Sequence, residues 1–221
     1  MSRDDIKAAH GIIGGLSQTD KMPGLSWGIP SSECKTGARL AKKENHTCAD
    51  CYTKRGRYVF GAVRDALARR LAAWRAGRRN WRAWAEAFAV VVDASDRAGY
   101  FRWFDSGDLQ DLDMLRAIVR VAELLPGRRF WLPTQEHRLI LKYIEDGGTI
   151  PANLTIRLSS REVDGPRPAI AAALGLPTSG TSRQPDAWTC MAHVQNNRCL
   201  ACRACWDPQV THVVYPHKGR K

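Results

Sequence analysis

Three short apolar segments, each closed by a polar turn and followed by a helical pattern, constrain this chain more than any other feature. Tyr100 to Phe104 is aromatic-rich and strand-like, and Asp105-Ser106-Gly107-Asp108 reads as a turn. Asp111 or a neighbour then caps a helix running to about Leu125. RRFWLPT (128–134) reads as a strand and QEHRLILKYIED as a helix, and NLTIRLSS (153–160) is the third strand. The loop REVDGPRP precedes a short helix around 168–174, and THVVYP (211–216) is a candidate last strand. This order predicts an α/β fold: a partial (β/α) barrel of mainly parallel strands with outer helices and a cysteine-rich C-terminal segment. Such folds carry functional loops at the carboxyl ends of their strands. Here those ends are Asp105 to Asp108, Pro133 to Glu136 and Ser159 to Glu162.

The 221 residues are expected to form a single domain with its own core. A loop-rich N-terminal segment (1–58) precedes the β/α core (59–185) and a C-terminal cysteine segment (186–221). Residues 1–33, rich in Gly, Ser and Pro, read as irregular with one short strand, and PTSGTSRQPDAWT reads as a loop. Between them, 59–78 has apolar Val63, Ala66, Leu67, Leu71 and Trp74 at helical spacing, and a second helix is expected at about 81–93. No apolar run approaches the ~20 residues of a membrane span. The start MSRDDIKAAHG lacks a signal-peptide core. A cytoplasmic protein with no membrane partner is therefore expected. In a reducing compartment its seven cysteines speak for metal or redox chemistry.

The cysteines fall into two groups, Cys34-x13-Cys48-x2-Cys51 and Cys190-x8-Cys199-x2-Cys202-x2-Cys205. Three thiolates within seven residues suit three corners of an iron–sulfur cube, with Cys190 as the fourth ligand; zinc is the alternative. The first group has no obvious fourth cysteine. Zinc would complete its shell with His46, whereas a cubane held by three thiolates leaves one iron open to a ligand. The segment is followed by Lys54, Arg55 and Arg57, where an anionic cofactor or substrate would arrive.

Three cysteines ending in CxxC-Tyr ahead of a β/α alternation resemble the cluster motif of radical S-adenosylmethionine enzymes. In those enzymes the open iron of a 4Fe-4S cluster chelates the methionine amine and carboxylate, and reduction yields a 5′-deoxyadenosyl radical. Their usual motif has three residues in the first gap where this chain has thirteen. The chain resembles more closely the gene product 88-like proteins of actinobacteriophages. The matching pieces are KMPGLSWGIPSSECKTGARLAKKENHTCADCYTKRGRY, FRWFDSGDLQD, FWLPTQEH, RLSS and CLACRACW, which together run from about 21 to 206. That resemblance implies a phage origin and iron–sulfur chemistry, with no defined substrate.

By position, the resemblance implies a catalytic cluster on Cys34, Cys48 and Cys51, with Tyr52 packed against it or against adenine. Ser106, Gly107 and Asp108 would meet the methionine amino group, and Glu136, Arg157 and Ser159 the ribose or carboxylate. Cys190, Cys199, Cys202 and Cys205 would hold an auxiliary cluster. Read from the residues alone, Asp108 is equally a helix cap and Arg157 an ion-pair partner.

The net charge of +12 favours a polyanionic partner, a nucleotide or nucleic acid. Arg69, Arg70, Arg75, Arg78, Arg79 and Arg82, interleaved with Trp74, Trp81 and Trp84, offer phosphate binding and stacking. The bland counterpart is an amphipathic helix with buried tryptophans and solvated arginines. The alternative to an enzyme is a non-enzymatic iron–sulfur or zinc-stapled protein that binds nucleic acid or a host protein.

Overall fold

A computed structural model describes residues 2–217, so the expected boundaries at 1 and 221 lie just outside the described residues. The chain begins with α1 (Arg3–Ile13), β1 (Ser17–Gln18), β2 (Leu25–Trp27) and the short α2 (Lys35–Leu40). The long helices α3 (Gly61–Gly77) and α4 (Trp81–Ser95) follow. Then come β3 (Tyr100–Trp103), α5 (Leu112–Leu124), β4 (Arg129–Thr134), α6 (His137–Glu145), β5 (Leu154–Val163) and α7 (Ala169–Ala173). The chain closes with β6 (Thr178–Ser182), β7 (Trp188–Thr189) and β8 (His212–Pro216).

The strands form one eight-stranded sheet in the order β1-β2-β3-β4-β5-β6-β8-β7. Among the strands of the described residues, β1–β2 is the antiparallel pair and the other pairings are parallel. The alternation of strand and helix thus gave the α/β class and the parallel sheet. Two expectations are corrected. Residues 3–13 are helical: Ser2 accepts from Asp5 N and Asp5 answers at Ser2 N, a capping box that starts α1. And TSGTS is strand β6, held by main-chain pairing to β5 on one side and β8 on the other.

Side chains alternate across the sheet. Phe101, Trp103, Phe130, Leu132, Leu154, Ile156 and Leu158 face a core completed by Trp27, Trp84, Phe88 and residues of α1, α3, α4, α5, α6 and α7. Its aromatic rings meet edge-on, with Trp27 and Trp84 centroids 5.5 Å apart and Trp74 and Trp84 5.2 Å apart; such pairs add about 0.5–1.5 kcal/mol each beyond burial. The opposite face presents Tyr100 and Trp131 to a second cluster with Met22, Trp206, Tyr215, Cys199 and Cys205. Among the described residues no residue of an α-helix joins that cluster. The C-terminal cysteine segment covers the face instead.

Candidate functional site

The turn after β3 begins with Phe104 at φ +52, in the left-handed region that non-glycine residues rarely occupy. Gly107 follows at φ +81, where a Cβ would lie 2.4 Å from Ile29 Cγ1. Ile29 N donates to Ser106 O at 3.0 Å, which clamps the end of β2 against this turn. The turn is buried: Asp105, Ser106 and Asp108 are all nearly inaccessible.

Asp108 ties strand ends together. It accepts from Leu109 N at 2.8 Å, Thr134 Oγ1 at 2.7 Å and Gln135 N at 2.8 Å. Thr134 Oγ1 in turn accepts from Glu136 N at 3.0 Å. Glu136 accepts from Thr36 N at 2.7 Å and Thr36 Oγ1 at 2.9 Å. This relay links the ends of β3 and β4 to the residue two positions beyond Cys34. The cap of α5 is a different residue, Asp111, which accepts from Met114 N. Burial pushes the Asp108 carboxyl up to about 7 against the pull of its three donors, with Glu136 adding to the rise.

A second set of ties holds Cys48 over the end of β5. Thr47 N donates to Arg161 O at 2.8 Å and Thr47 Oγ1 to Ser160 O at 3.2 Å. Asn45 Nδ2 donates to Val163 O. His46 has Nδ1 2.9 Å from Glu44 O and Nε2 3.9 Å from Glu162 Oε1. Cys51 Sγ lies 3.0 Å from Thr53 Oγ1. Tyr52 donates its hydroxyl to Asp105 O at 2.5 Å and accepts from Arg102 Nη2 at 3.0 Å, and its ring meets Tyr58 edge-on.

Cys34 lies within electrostatic reach of Cys48 and Cys51. Burial, then Asp108, Cys48 and Cys51, push the Cys34 thiol well above its ordinary range. Burial, Cys51 and Asp108 push Cys48 up to about 12. A Cβ on Gly37 would lie 3.5 Å from Cys48 Sγ and 3.7 Å from Cys34 Sγ, so the two sulfurs flank one point. As they stand, no group of three or more His, Cys, Asp or Glu side chains among the described residues is gathered to hold a metal ion. The donor types nevertheless suit one: three free thiols beside two buried carboxylates are groups that a bound cation would hold in their deprotonated forms. Gly37→Val places a branched side chain between the two sulfurs and is expected to weaken cobalt binding there by at least about 10-fold, read by thiolate-to-metal absorption.

Four buried polar atoms at the same carboxyl ends have no partner: Asp105 Oδ1, Ser106 Oγ, Gln135 Oε1 and Ser160 Oγ. Eight further buried atoms without hydrogen-bond partners are found among the described residues, Thr19 Oγ1, Trp84 Nε1 and Asp96 Oδ2 among them, so these four outline a candidate region by their position and not by their number. Residue type alone does not single out Asp105, Gln135 or Ser160, although FDSGD, PTQE and RLSS contain them. The signal is their position at strand ends. Ser159 differs: its Oγ lies 3.3 Å from Ser179 Oγ. A cavity of about 400 Å³ opens beside Cys34, lined by its neighbours Glu33 and Lys35 with Trp74, Arg75, Arg78 and Asp111.

Arg157 sits away from this edge, on the sheet face that the C-terminal segment covers. All five of its N–H groups go to main-chain carbonyls, so none is free for a ribose or carboxylate. Beside it, Cys199 lies within electrostatic reach of Cys190 and Cys202, and Cys205 of Cys190. Burial raises the Cys205 thiol to about 11, while the Tyr215 hydroxyl 3.3 Å away lowers it. All seven cysteines are free.

The arginines of α3 and α4 are mostly engaged. Arg70 is 3% exposed and donates to Gly15 O, which removes it from any nucleic-acid surface. Arg75 pairs with Glu33 at 2.6 Å, and Arg78 with Asp111 and Asp113. Trp74 and Trp84 are buried. Arg79 is exposed, and exposed Arg82 stacks over Trp81 at 4.3 Å.

The family model described as Gene product 88 matches residues 3–208. No curated protein and no solved structure matches the chain. Among the described residues no helix is long and apolar enough to cross a membrane.

Proposed function

The chain belongs to the Gene product 88 family, and from that premise we propose a phage-encoded iron–sulfur protein whose N-terminal centre works in the manner of a radical S-adenosylmethionine enzyme. The observation that supports this reading is the meeting of Cys34, Cys48 and Cys51 with Asp108 and Glu136 at the carboxyl edge of a parallel sheet, next to four unpartnered polar atoms. On this reading the open sheet serves as a sector of a barrel. A 4Fe-4S cluster held by the three thiols would supply the reductive cleavage of S-adenosylmethionine. The chain's own residues bind and orient: Ser106 Oγ, Asp105 Oδ1, Gln135 Oε1 and Ser160 Oγ are the free groups for the ligand's polar atoms. Tyr52 and Tyr58 wall the site. The cavity beside Cys34, lined by Lys35, Arg75 and Arg78 with their acidic neighbours Glu33 and Asp111, would receive the substrate, and the net charge of +12 favours an anionic one, a nucleotide or nucleic acid.

Anaerobic purification followed by iron, sulfide and zinc analysis tests the metal. A colourless protein with stoichiometric zinc and no sulfide overturns the reading. Formation of 5′-deoxyadenosine from S-adenosylmethionine after reduction tests the chemistry, and its absence from a fully loaded sample counts against an enzyme.

Exposed Arg79 and Arg82 favour a second reading, a non-enzymatic iron–sulfur or zinc-stapled protein that binds nucleic acid or a host protein. Here the double change Arg79→Glu and Arg82→Glu is expected to weaken single-stranded DNA binding and to reduce its salt slope by about 1 for each phosphate no longer neutralised. An unchanged slope removes these residues from the interface.

A further inference from the structure

We propose that Arg157 is the built-in counter-charge of an anionic four-thiolate centre on Cys190, Cys199, Cys202 and Cys205; this rests on the reading that these thiols hold metal. Arg157 is fully buried, and only the four tryptophans Trp27, Trp74, Trp84 and Trp103 precede it among the largest fully buried side chains. Strand parity puts it on the covered face, since Ile156 and Leu158 on either side enter the helical core. Its Nε donates to Cys205 O at 3.0 Å. Nη1 donates to Thr178 O at 3.2 Å and Val210 O at 2.7 Å. Nη2 donates to Ala204 O and Asp207 O, both at 2.6 Å. Four of these five carbonyls belong to the stretch that carries Cys205. The guanidinium therefore fixes the end of the ligand loop from beneath.

Carbonyl dipoles solvate this charge but do not neutralise it. Among the described residues no carboxylate lies within ion-pair distance; the groups that act on it electrostatically are Tyr215, Cys205 and Asp207. A buried cation without a counter-ion costs several kcal/mol. Four neutral thiols supply no anion. Four thiolates on a zinc ion, or on an iron–sulfur cube, leave a net negative charge. The same face holds two more buried donors without partners, Trp131 Nε1 and Arg102 Nε, and Trp131 packs in the cluster that includes Cys199 and Cys205. Hydrogen-bond donors around metal-bound sulfur are what tune such centres.

The loop is also held independently of Arg157. Cys190 N donates to Val214 O and Cys199 N to Lys21 O. Thr155 Oγ1 donates to Trp206 O at 2.8 Å, and Trp206 Nε1 to Phe101 O at 2.8 Å. This allows the charge at 157 to be varied while other ties keep the ligands in place.

The test uses the full chain with Cys34, Cys48 and Cys51 changed to alanine, so that the C-terminal thiols alone bind. Cobalt(II) is titrated anaerobically and read by thiolate-to-metal absorption. Arg157→Met, which removes charge and fork, is expected to weaken binding about 10–100-fold, while Arg157→Lys, which keeps the charge, stays within about 10-fold of the parent. Equal affinity of a folded Arg157→Met and its parent overturns the proposal and leaves Arg157 a structural pin. Equal loss in both variants also overturns it, since the charge then has no part. If Arg157→Met does not fold, Arg157→Lys decides: affinity near the parent supports the proposal, and a loss matching that of Cys205→Ala overturns it. No cobalt binding with Arg157 intact overturns the C-terminal centre and this inference together, while leaving the N-terminal reading to its own iron analysis.

Discussion

Cys34→Ala, Cys48→Ala and Cys51→Ala are each expected to lower bound iron from about eight to about four atoms per chain, with sulfide falling in parallel, and to abolish 5′-deoxyadenosine formation. The two cysteine groups have separate neighbourhoods. Cys34 and Cys48 interact with each other's group and with Asp108 and Glu136. Cys199 and Cys205 interact with Cys190, Cys202, Lys21 and Tyr215. Loss of one N-terminal thiol takes a third of the protein ligands from a centre with no spare cysteine beside it, and leaves the other centre loaded. The converse holds for Cys199→Ala, which removes half of the iron while the product assay continues. If all seven single changes abolish the same iron, the thiols serve one mixed centre and the partition into two falls. The fold itself is expected to survive these changes, because the ties around Cys48 run through Thr47, Asn45 and main-chain atoms rather than through sulfur.

The parts of this architecture that were readable in the sequence are those set by local pattern. YFRWF, RRFWLPT and NLTIRLSS alternate or run apolar, and they became β3, β4 and β5. A cap at Asp111 or a neighbour followed from residue type and position, and the structure makes it Asp111. The helix α1 was hidden by the Gly- and Pro-rich stretch behind it, although Ser2 and Asp5 form its capping box. TSGTS has no apolar alternation to announce a strand. It becomes β6 because β5 and β8 offer main-chain partners on both sides. The site divides in the same way. The cysteines and strand-end carboxylates were visible as residue types. The bonds from Thr36 to Glu136 span 100 residues, and nothing local announces them. Arg157 was visible as a strand residue, and parity with Ile156 and Leu158 was the signal for its side of the sheet. What parity could not supply was the C-terminal loop that folds over it.

Asp108→Ala is expected to lower stability by about 3–5 kcal/mol, which in a chain of this size is a fall in Tm of about 10 °C. The change strands three buried donors at once: Leu109 N, Thr134 Oγ1 and Gln135 N. It also slackens the relay through Thr134 and Glu136 to Thr36. Asp108→Asn is milder. Whichever way the amide is turned, its NH2 meets a main-chain N–H, Gln135 on one side or Leu109 on the other, so one donor is left unpaired at about 1–3 kcal/mol. The pH dependence has a definite sign. Burial raises the folded carboxyl to about 7, above the unfolded value of about 3.9. Its contribution to stability is therefore full below the unfolded value and is lost as pH rises through about 7. Thermal melts of metal-free protein across that window should show this loss, and Asp108→Asn, with no proton to release, should lack it. The same variant separates two roles for Asp108. Because its oxygens are already occupied by three internal donors, S-adenosylmethionine affinity of a folded, loaded Asp108→Asn protein should stay within about 3-fold of the parent, below the ~1.4 kcal/mol of a tenfold change. An unchanged Tm with abolished S-adenosylmethionine binding would make Asp108 a ligand-binding residue and free its three donors from the structural role assigned to them.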